Sequence, residues 1–257
     1  MRKSVIAMVF TLGGALLGGS GCGGGGQGSE NDAGAGGNGP AGNGGVAGGG
    51  GQNSAASYEP DPVGATWTYA TTDVADGGTV TGTKSVAVEA IEPVPGRAGI
   101  TATRIHTIVP GAEDQMTWQG ESATAIVRYR DDIYLLGAGT ATLEEYSVYA
   151  PSKLRMDLTH LTTGQTYDES YTESVTKVMA GGNSTASTSK PFRWKVINGA
   201  ESITVPAGTF TAVHVQKANG NSGAIDKDYW FVKGVGKVKE TAASTGRVEV
   251  LTAYHIP

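Results

Sequence analysis

The sequence predicts an all-β domain: a single antiparallel, strongly curved sheet or half-open barrel of about a dozen strands, with little helix. Three observations carry that expectation. Short runs of alternating apolar and polar residues recur from Ala65 to Ile256. Between them stand Gly, Pro, Asn and Asp clusters, whose backbone preferences make turns. No window shows an apolar stripe of 3.6-residue period with caps, and the nearest candidate, Glu113–Trp118, is poor.

The most explicit stretch is Glu201–Glu240. Ile203-Thr204-Val205 reads as a short strand, Pro206-Ala207-Gly208-Thr209 as a turn, and Phe210–Lys217 as a half-buried strand. Gly220-Asn221-Ser222-Gly223 is a loop, Tyr229–Val232 an aromatic strand, and Gly234-Val235-Gly236 a sharp turn or bulge leading into Val238. Proline presets φ for a turn and glycine supplies positive φ, so the stretch reads as a consecutive antiparallel meander.

The remaining elements follow in order. Pro60, Pro62 and Gly64 punctuate the entry, and Ala65–Thr72 places Trp67 and Tyr69 on one strand face. Asp76-Gly77-Gly78 is a hairpin turn into a strand over Thr79–Ile91, and Pro93–Gly99 is a loop. Ile100–Val109 is a strand with Ala102, Arg104 and His106 on one face and Thr103, Ile105 and Thr107 on the other. Gln115–Gly120, Ala123–Arg130 and Ile133–Leu136 are further strands, with Asp131-Asp132 read as a turn. Leu143–Tyr149, Leu154–Leu158 and Thr166–Met179 continue the pattern. Gly181–Ser189 reads as a polar loop, Pro191–Ile197 as a strand, and Arg247–Ile256 closes the chain.

The chain has 257 residues, 41 of them Gly, and most of the glycine excess precedes residue 53. Three segments result: 1–21, 22–56 and 57–257, the last long enough for one sizeable domain. A formal net charge of -5 offers nothing to phosphate backbones, so a nucleic-acid partner is not expected. The single cysteine, Cys22, excludes an internal disulfide and a multi-thiolate metal site.

Arg2-Lys3 followed by apolar Val5–Leu17 and small Gly18–Gly21 has the layout of a signal peptide ending at Cys22. The run is shorter and more glycine-broken than a membrane span requires. This leader resembles a bacterial lipoprotein signal. The resemblance implies cleavage before Cys22, a lipid-modified Cys22 thiol, and an envelope location. Gly23, standing where Asp signals inner-membrane retention, points to the outer membrane. The alternative is an ordinary secreted signal peptide with an incidental cysteine; Gly19 occupies a position that is usually aliphatic in lipoproteins. Several acyl chains, at about 0.8 kcal/mol per buried CH₂, would anchor the protein stably. Glycine makes up more than half of Gly23–Gln52, which is expected to be a disordered leash spanning roughly 30 Å.

Thr204–Val215 (TVPAGTF-x-A-x-x-V) and Tyr229–Lys239 (YWF-x-K-GVG-x-VK) together resemble a group of bacterial lipoproteins and envelope proteins. The opening Gly64–Tyr69, G-x-x-W-x-Y, fits the same group. The resemblance implies a curved antiparallel sheet, similar in shape to the lipoprotein-carrier half-barrel. It carries over no catalytic residue.

Candidate chemistry is thin. Gly234–Lys237 fails the phosphate-loop pattern at Phe231 and Val238, leaving a β-bulge. His106, His160, His214 and His255 are scattered without metal-ligand companions and are expected to be solvated or hydrogen-bonded, so neither metal nor cofactor is expected. Carboxylates come as Asp131-Asp132, Glu144-Glu145, Asp168-Glu169 with Glu173, and Asp226 with Asp228. Glu169 and Glu173 share a face with Tyr167 and Tyr171, a set that could line a sugar site but is expected to be a solvated strand face. Trp67, Trp118, Trp194 and Trp230 either fill the core or line a cavity on the concave face. The expected function is therefore a lipid-anchored, non-enzymatic envelope protein with a structural or binding role, its partner an apolar ligand or another envelope protein. The alternative is a surface hydrolase of glycans or peptides whose carboxylates converge in the fold.

Overall fold

Among the described residues, twelve strands, each antiparallel to the one before it, build the domain. The computed structural model describes residues 57–72, 80–110, 113–137 and 140–257. The leader, Cys22, the glycine-rich linker and the Asp76-Gly77-Gly78 turn lie outside the described residues. The strands are β1 (Thr66–Thr72), β2 (Val80–Pro93), β3 (Thr101–Ile108), β4 (Glu113–Glu121), β5 (Ala125–Gly137) and β6 (Thr140–Asp157). They continue as β7 (Thr166–Lys177), β8 (Ser184–Val205), β9 (Gly208–Asn219), β10 (Ile225–Val232), β11 (Gly236–Ala242) and β12 (Arg247–His255).

Each strand pairs with its neighbours in sequence, and β1 also pairs with β12, from Thr66 opposite His255 to Thr72 opposite Val248. The sheet is a closed barrel, which corrects the expected open or half-open form. Closure satisfies the backbone groups that two free edge strands would expose. Among the described residues there is no helix, and Glu113–Trp118 lies within β4.

Three strands are longer than the sequence suggests. Asp131-Asp132 is not a turn; β5 runs straight through it. The two carboxylates leave on opposite faces, and each finds donors there. Asp131 accepts from Thr117 Oγ1 at 2.7 Å and Tyr149 OH at 2.6 Å. Asp132 accepts from Arg130 Nε at 2.5 Å and Nη2 at 3.1 Å. In β6 the two expected strands are one, joined through a cis Ala150-Pro151 bond where the ladder to β5 skips from Val148 to Lys153. Proline cannot donate to a ladder, so it sits where pairing lapses.

The segment expected as the loop Gly181–Ser189 is strand from Ser184 onward. Hydroxyl pairs across β7 and β8 hold it, Ser174 with Ser187 at 2.9 Å and Thr176 with Thr185 at 2.8 Å. β8 then continues to Val205 through register shifts between Val196 and Glu201. These bend the β8–β9 tip until Ala207 N donates to Leu251 O at 3.1 Å on β12. Ile203, Val205 and Ala212 pack there with Trp67, Trp230, Val238 and Leu251. A second cluster joins Trp194, Val213, Val215, Tyr229 and Phe231, and a third places Trp118 with Val94 and Ala102 under the β2–β3 loop. The β7–β8 wall turns Thr166, Asp168, Ser170, Thr172, Arg193 and Lys195 to solvent, a face suited to water rather than acyl chains.

Candidate functional site

Alternation along a closed barrel sends every second side chain into the lumen, where strands that are not neighbours can meet. Several such contacts are polar. Lys84 on β2 meets Glu249 on β12, and Tyr69 OH on β1 donates to Lys237 O on β11 at 2.9 Å. Arg155 on β6 lies 5.3 Å from the Tyr229 ring centre on β10. Lys217 on β9 stands 3.6 Å from Glu169 on β7. The lumen is thus filled by charge and aromatic rings together.

One half is a ladder: Lys84, Glu249, Lys237, Glu240, Lys227. Glu240 and Glu249 sit directly opposite each other on β11 and β12, a pairing that repels. Lys237 resolves it by donating to both carboxylates, to Glu249 at 2.9 Å. Lys227 holds the far side of Glu240 at 2.7 Å. Burial alone would raise both carboxyls, but Lys237 and its flanking lysines prevail. Glu240 is held well below the ordinary carboxylate range and Glu249 falls to about 2. Burial resists the charge on Lys237, yet Glu240 and Glu249 push its ammonium above the ordinary lysine value. Burial, with Lys237 nearby, lowers Lys84 to about 7.

The other half is aromatic. Trp194 stacks between Tyr167 and Tyr229, both at 5.9 Å, and Tyr229 stacks on Phe231 at 5.7 Å. Tyr149 meets Tyr171 edge-on at 5.5 Å. The Lys217 ammonium lies 3.6 Å from the Phe192 ring centre, a cation–π contact of the desolvated kind. Burial lowers Lys217 to about 8. Glu169 accepts from Trp194 Nε1 at 2.9 Å and from Leu154 N.

The segment before β1 also enters the barrel. Glu59 meets Arg155 Nη2 at 2.9 Å, Ser57 Oγ donates to Glu121, and Gly234 N donates to Ser57 O at 2.7 Å. Pro60 is fully buried and packs by Gly236, which takes φ +101 at the start of β11. The strap supplies the carboxylate that a buried arginine needs. Its own Asp61 is raised, as is Glu121, in both cases by burial first.

The residues singled out from the sequence fall in several places. Tyr167, Glu169 and Tyr171 are not on a solvated face: they point into the lumen, and Glu169 is buried. Their pattern of apolar and polar neighbours is the same whichever face is the core. Glu173 pairs with Lys190 at 3.3 Å, while Asp168 pairs with Arg193 on the outside. Asp131 faces inward and Asp132 outward, so that pair does not converge. Glu144 is exposed and Glu145 half-buried. Asp226 adds negative potential beside Lys217, whereas Asp228 takes His214 Nε2 at 3.1 Å. His214 is bracketed by Glu201 at 2.8 Å and stacks on Trp230 at 4.1 Å. His106 meets Glu89 at 2.8 Å, and His160 meets Asp157 at 3.0 Å. Trp67 donates to Val235 O at 2.6 Å and Trp118 to Glu92 at 3.0 Å. All four tryptophans are buried in packing clusters. Among the described residues no group of three His, Cys, Asp or Glu could hold a metal ion.

The reading of residues missed Lys84, Lys153, Arg155, Lys217, Lys227, Lys237, Glu240 and Glu249 as a connected set. One signal was present: three charged residues, Lys237, Lys239 and Glu240, crowd the seven of GKVKETA, the sequence of β11. On a flat sheet that pattern marks a solvated face; in a closed barrel it becomes lumen.

No protein-family model matches the chain, and no curated protein matches it in sequence. Two solved structures are similar at low identity. A protein described as exported, with a YmcC-like fold, from Bacteroides fragilis is 12% identical with a TM-score of 0.42, covering 78% of this chain and 100% of its own. One described as a lipoprotein from Parabacteroides distasonis is 16% identical with a TM-score of 0.32, covering 78% and 99%. Neither likeness is strong enough to bear on what this barrel does.

Proposed function

We propose that this is a lipid-anchored protein of the bacterial envelope whose barrel binds or scaffolds rather than catalyses. Cys22 carries the acyl chains, the glycine-rich leash holds the barrel off the bilayer, and the outer membrane is its destination. The leader and its cysteine support the anchored half of this reading.

The observation that carries the non-enzymatic half is the state of the two acids that face each other, Glu240 and Glu249. A paired-acid hydrolase needs one carboxyl kept protonated beside an ionised one. Glu240 and Glu249 are both drawn below the ordinary carboxylate range by the lysines between and around them. An apolar guest in the lumen would have to displace hydrogen-bonded ion pairs, so a polar guest or an outer-wall partner fits better.

Labelled palmitate incorporation in the full chain and in Cys22→Ser tests the anchor. Loss of label in the variant is the expected result, and label that persists overturns it. Mass spectrometry of material co-purifying with the barrel tests the binding half. A recovered acyl lipid at one per barrel would contradict the polar lumen described above.

A further inference from the structure

Like charges face each other at three places on the lumen wall. Glu240 opposes Glu249 across β11 and β12, and Lys237 stands between them. Lys227 opposes Lys217 across β10 and β9, and each has its own carboxylate, Glu240 at 2.7 Å and Glu169 at 3.6 Å. In the third pair, Arg128 on β5 opposite Lys153 on β6, two cations face a single carboxylate.

The carboxylate beside this third pair is Asp131, whose oxygens also accept from Thr117 at 2.7 Å and Tyr149 at 2.6 Å. Arg128 Nη1 pairs with Asp131 at 3.4 Å, so among the described residues the same carboxylate is all that faces Lys153. Arg128 Nε is buried with no hydrogen-bond partner. Lys153 makes no ion pair among the described residues; its ammonium lies 4.8 Å from the Tyr149 ring centre. Further positive potential reaches it from Lys217 and Lys227. Burial, the largest influence, with these cations brings Lys153 down to about 8, against the pull of Asp131. A half-buried cation pair that shares one carboxylate has the chemistry of an anion site. The Arg128 side chain keeps 18% of its surface exposed, so solvent has a route to the pair.

We propose that a small oxyanion, a phosphate or carboxylate group, binds in the lumen between Arg128 Nε and the Lys153 ammonium. The anion supplies there what Lys237 supplies to the two glutamates. Arginine offers two or more donors in a plane and lysine a point charge, the combination that holds an oxyanion rather than a halide by geometry. This deepens the binding half of the reading above, and it stands whether or not Cys22 is acylated.

The test is NMR of the full chain carrying ¹³Cε-lysine, titrated with pH in phosphate, in acetate and in chloride at matched ionic strength. Lys153→Met identifies the resonance. An anion present at ten times its Kd raises the Lys153 midpoint by about one pH unit, because it binds the ammonium and not the amine. The shift is expected in phosphate or acetate and not in chloride, and which of the two acts names the source. Equal midpoints in all three salts, or equal movement of Lys84 and Lys217, overturn the proposal. Thermal midpoints give an independent reading. Phosphate is expected to raise that of the wild type and not that of Lys153→Met, which removes an unpaired buried charge and keeps the fold. Equal phosphate gains in both chains also overturn the site.

Discussion

Lys237→Met is the sharpest probe of whether the lumen behaves as interior or as water. Lys237 is 9% exposed and donates to two carboxylates that face each other across β11 and β12. Without it, Glu240 keeps Lys227 and Glu249 keeps Lys84, but the two carboxylates confront each other in a site that already penalises their charge. Removing one partner from a buried ion pair costs about 3–5 kcal/mol, whereas an exposed pair is worth about 0–1 kcal/mol. At roughly 2–4 °C per kcal/mol for a domain of this size, the thermal midpoint falls by roughly 6–20 °C. Methionine approximates the lysine stem in volume, so a packing defect contributes little. Urea unfolding of Lys237→Met, Glu249→Gln and the double variant closes a cycle. The double variant is expected to recover much of the loss, since it removes both the bridge and one of the repelling groups. A single-variant cost below about 1 kcal/mol would refute the reasoning, because it would place the ladder in high dielectric.

Three further outcomes follow from the same geometry. Glu59→Gln leaves Arg155 buried without the carboxylate it pairs with, so it is expected to cost about 3–5 kcal/mol and to expose the strap to limited proteolysis near Ser57. Unchanged stability and cleavage would mean the strap does not hold the barrel. Stability is expected to rise between pH 7 and pH 10. Lys84, Lys153 and Lys217 titrate at about 7, 8 and 8 in the fold against 10.5 when unfolded, so the unfolded chain binds more protons in that window. Above pH 10 the trend reverses, because Tyr69, Tyr167 and Tyr171 are raised by burial and ionise first in the unfolded chain. Denaturation midpoints across pH 6–11 read both limbs, and a flat profile would contradict them. Gly199→Ala is expected to destabilise by about 1–3 kcal/mol, because the new Cβ would stand 2.6 Å from Leu161 O, a backbone atom. A neutral result by urea unfolding would show that the Leu161–Thr163 loop yields freely.

Much of the β architecture was legible because strand signals are local. The meander from Ile203 to Val238 lies in the strands and turns that its prolines, glycines and aromatics imply, with Gly234 and Gly236 at φ 77 and 101. Where the reading failed, partners distant in sequence decided. Asp131-Asp132 has the composition of a turn, yet Thr117 and Tyr149 on one face and Arg130 on the other make it strand. The polar run from Ser184 to Ser189 looks like loop until β7 offers Ser174 and Thr176 for its hydroxyls.

By itself the sequence determined that the chain alternates, where it turns, and that its first 56 residues differ in kind from the rest. Only the tertiary structure decided that β1 meets β12, and with that contact which of two equivalent faces became interior. Alternation has a period of two and no sign, so it cannot say whether a lysine-rich face looks at water or across a lumen. Closure fixed the sign. It turned Lys84, Lys237, Glu240 and Glu249, unremarkable on any single strand, into one buried network.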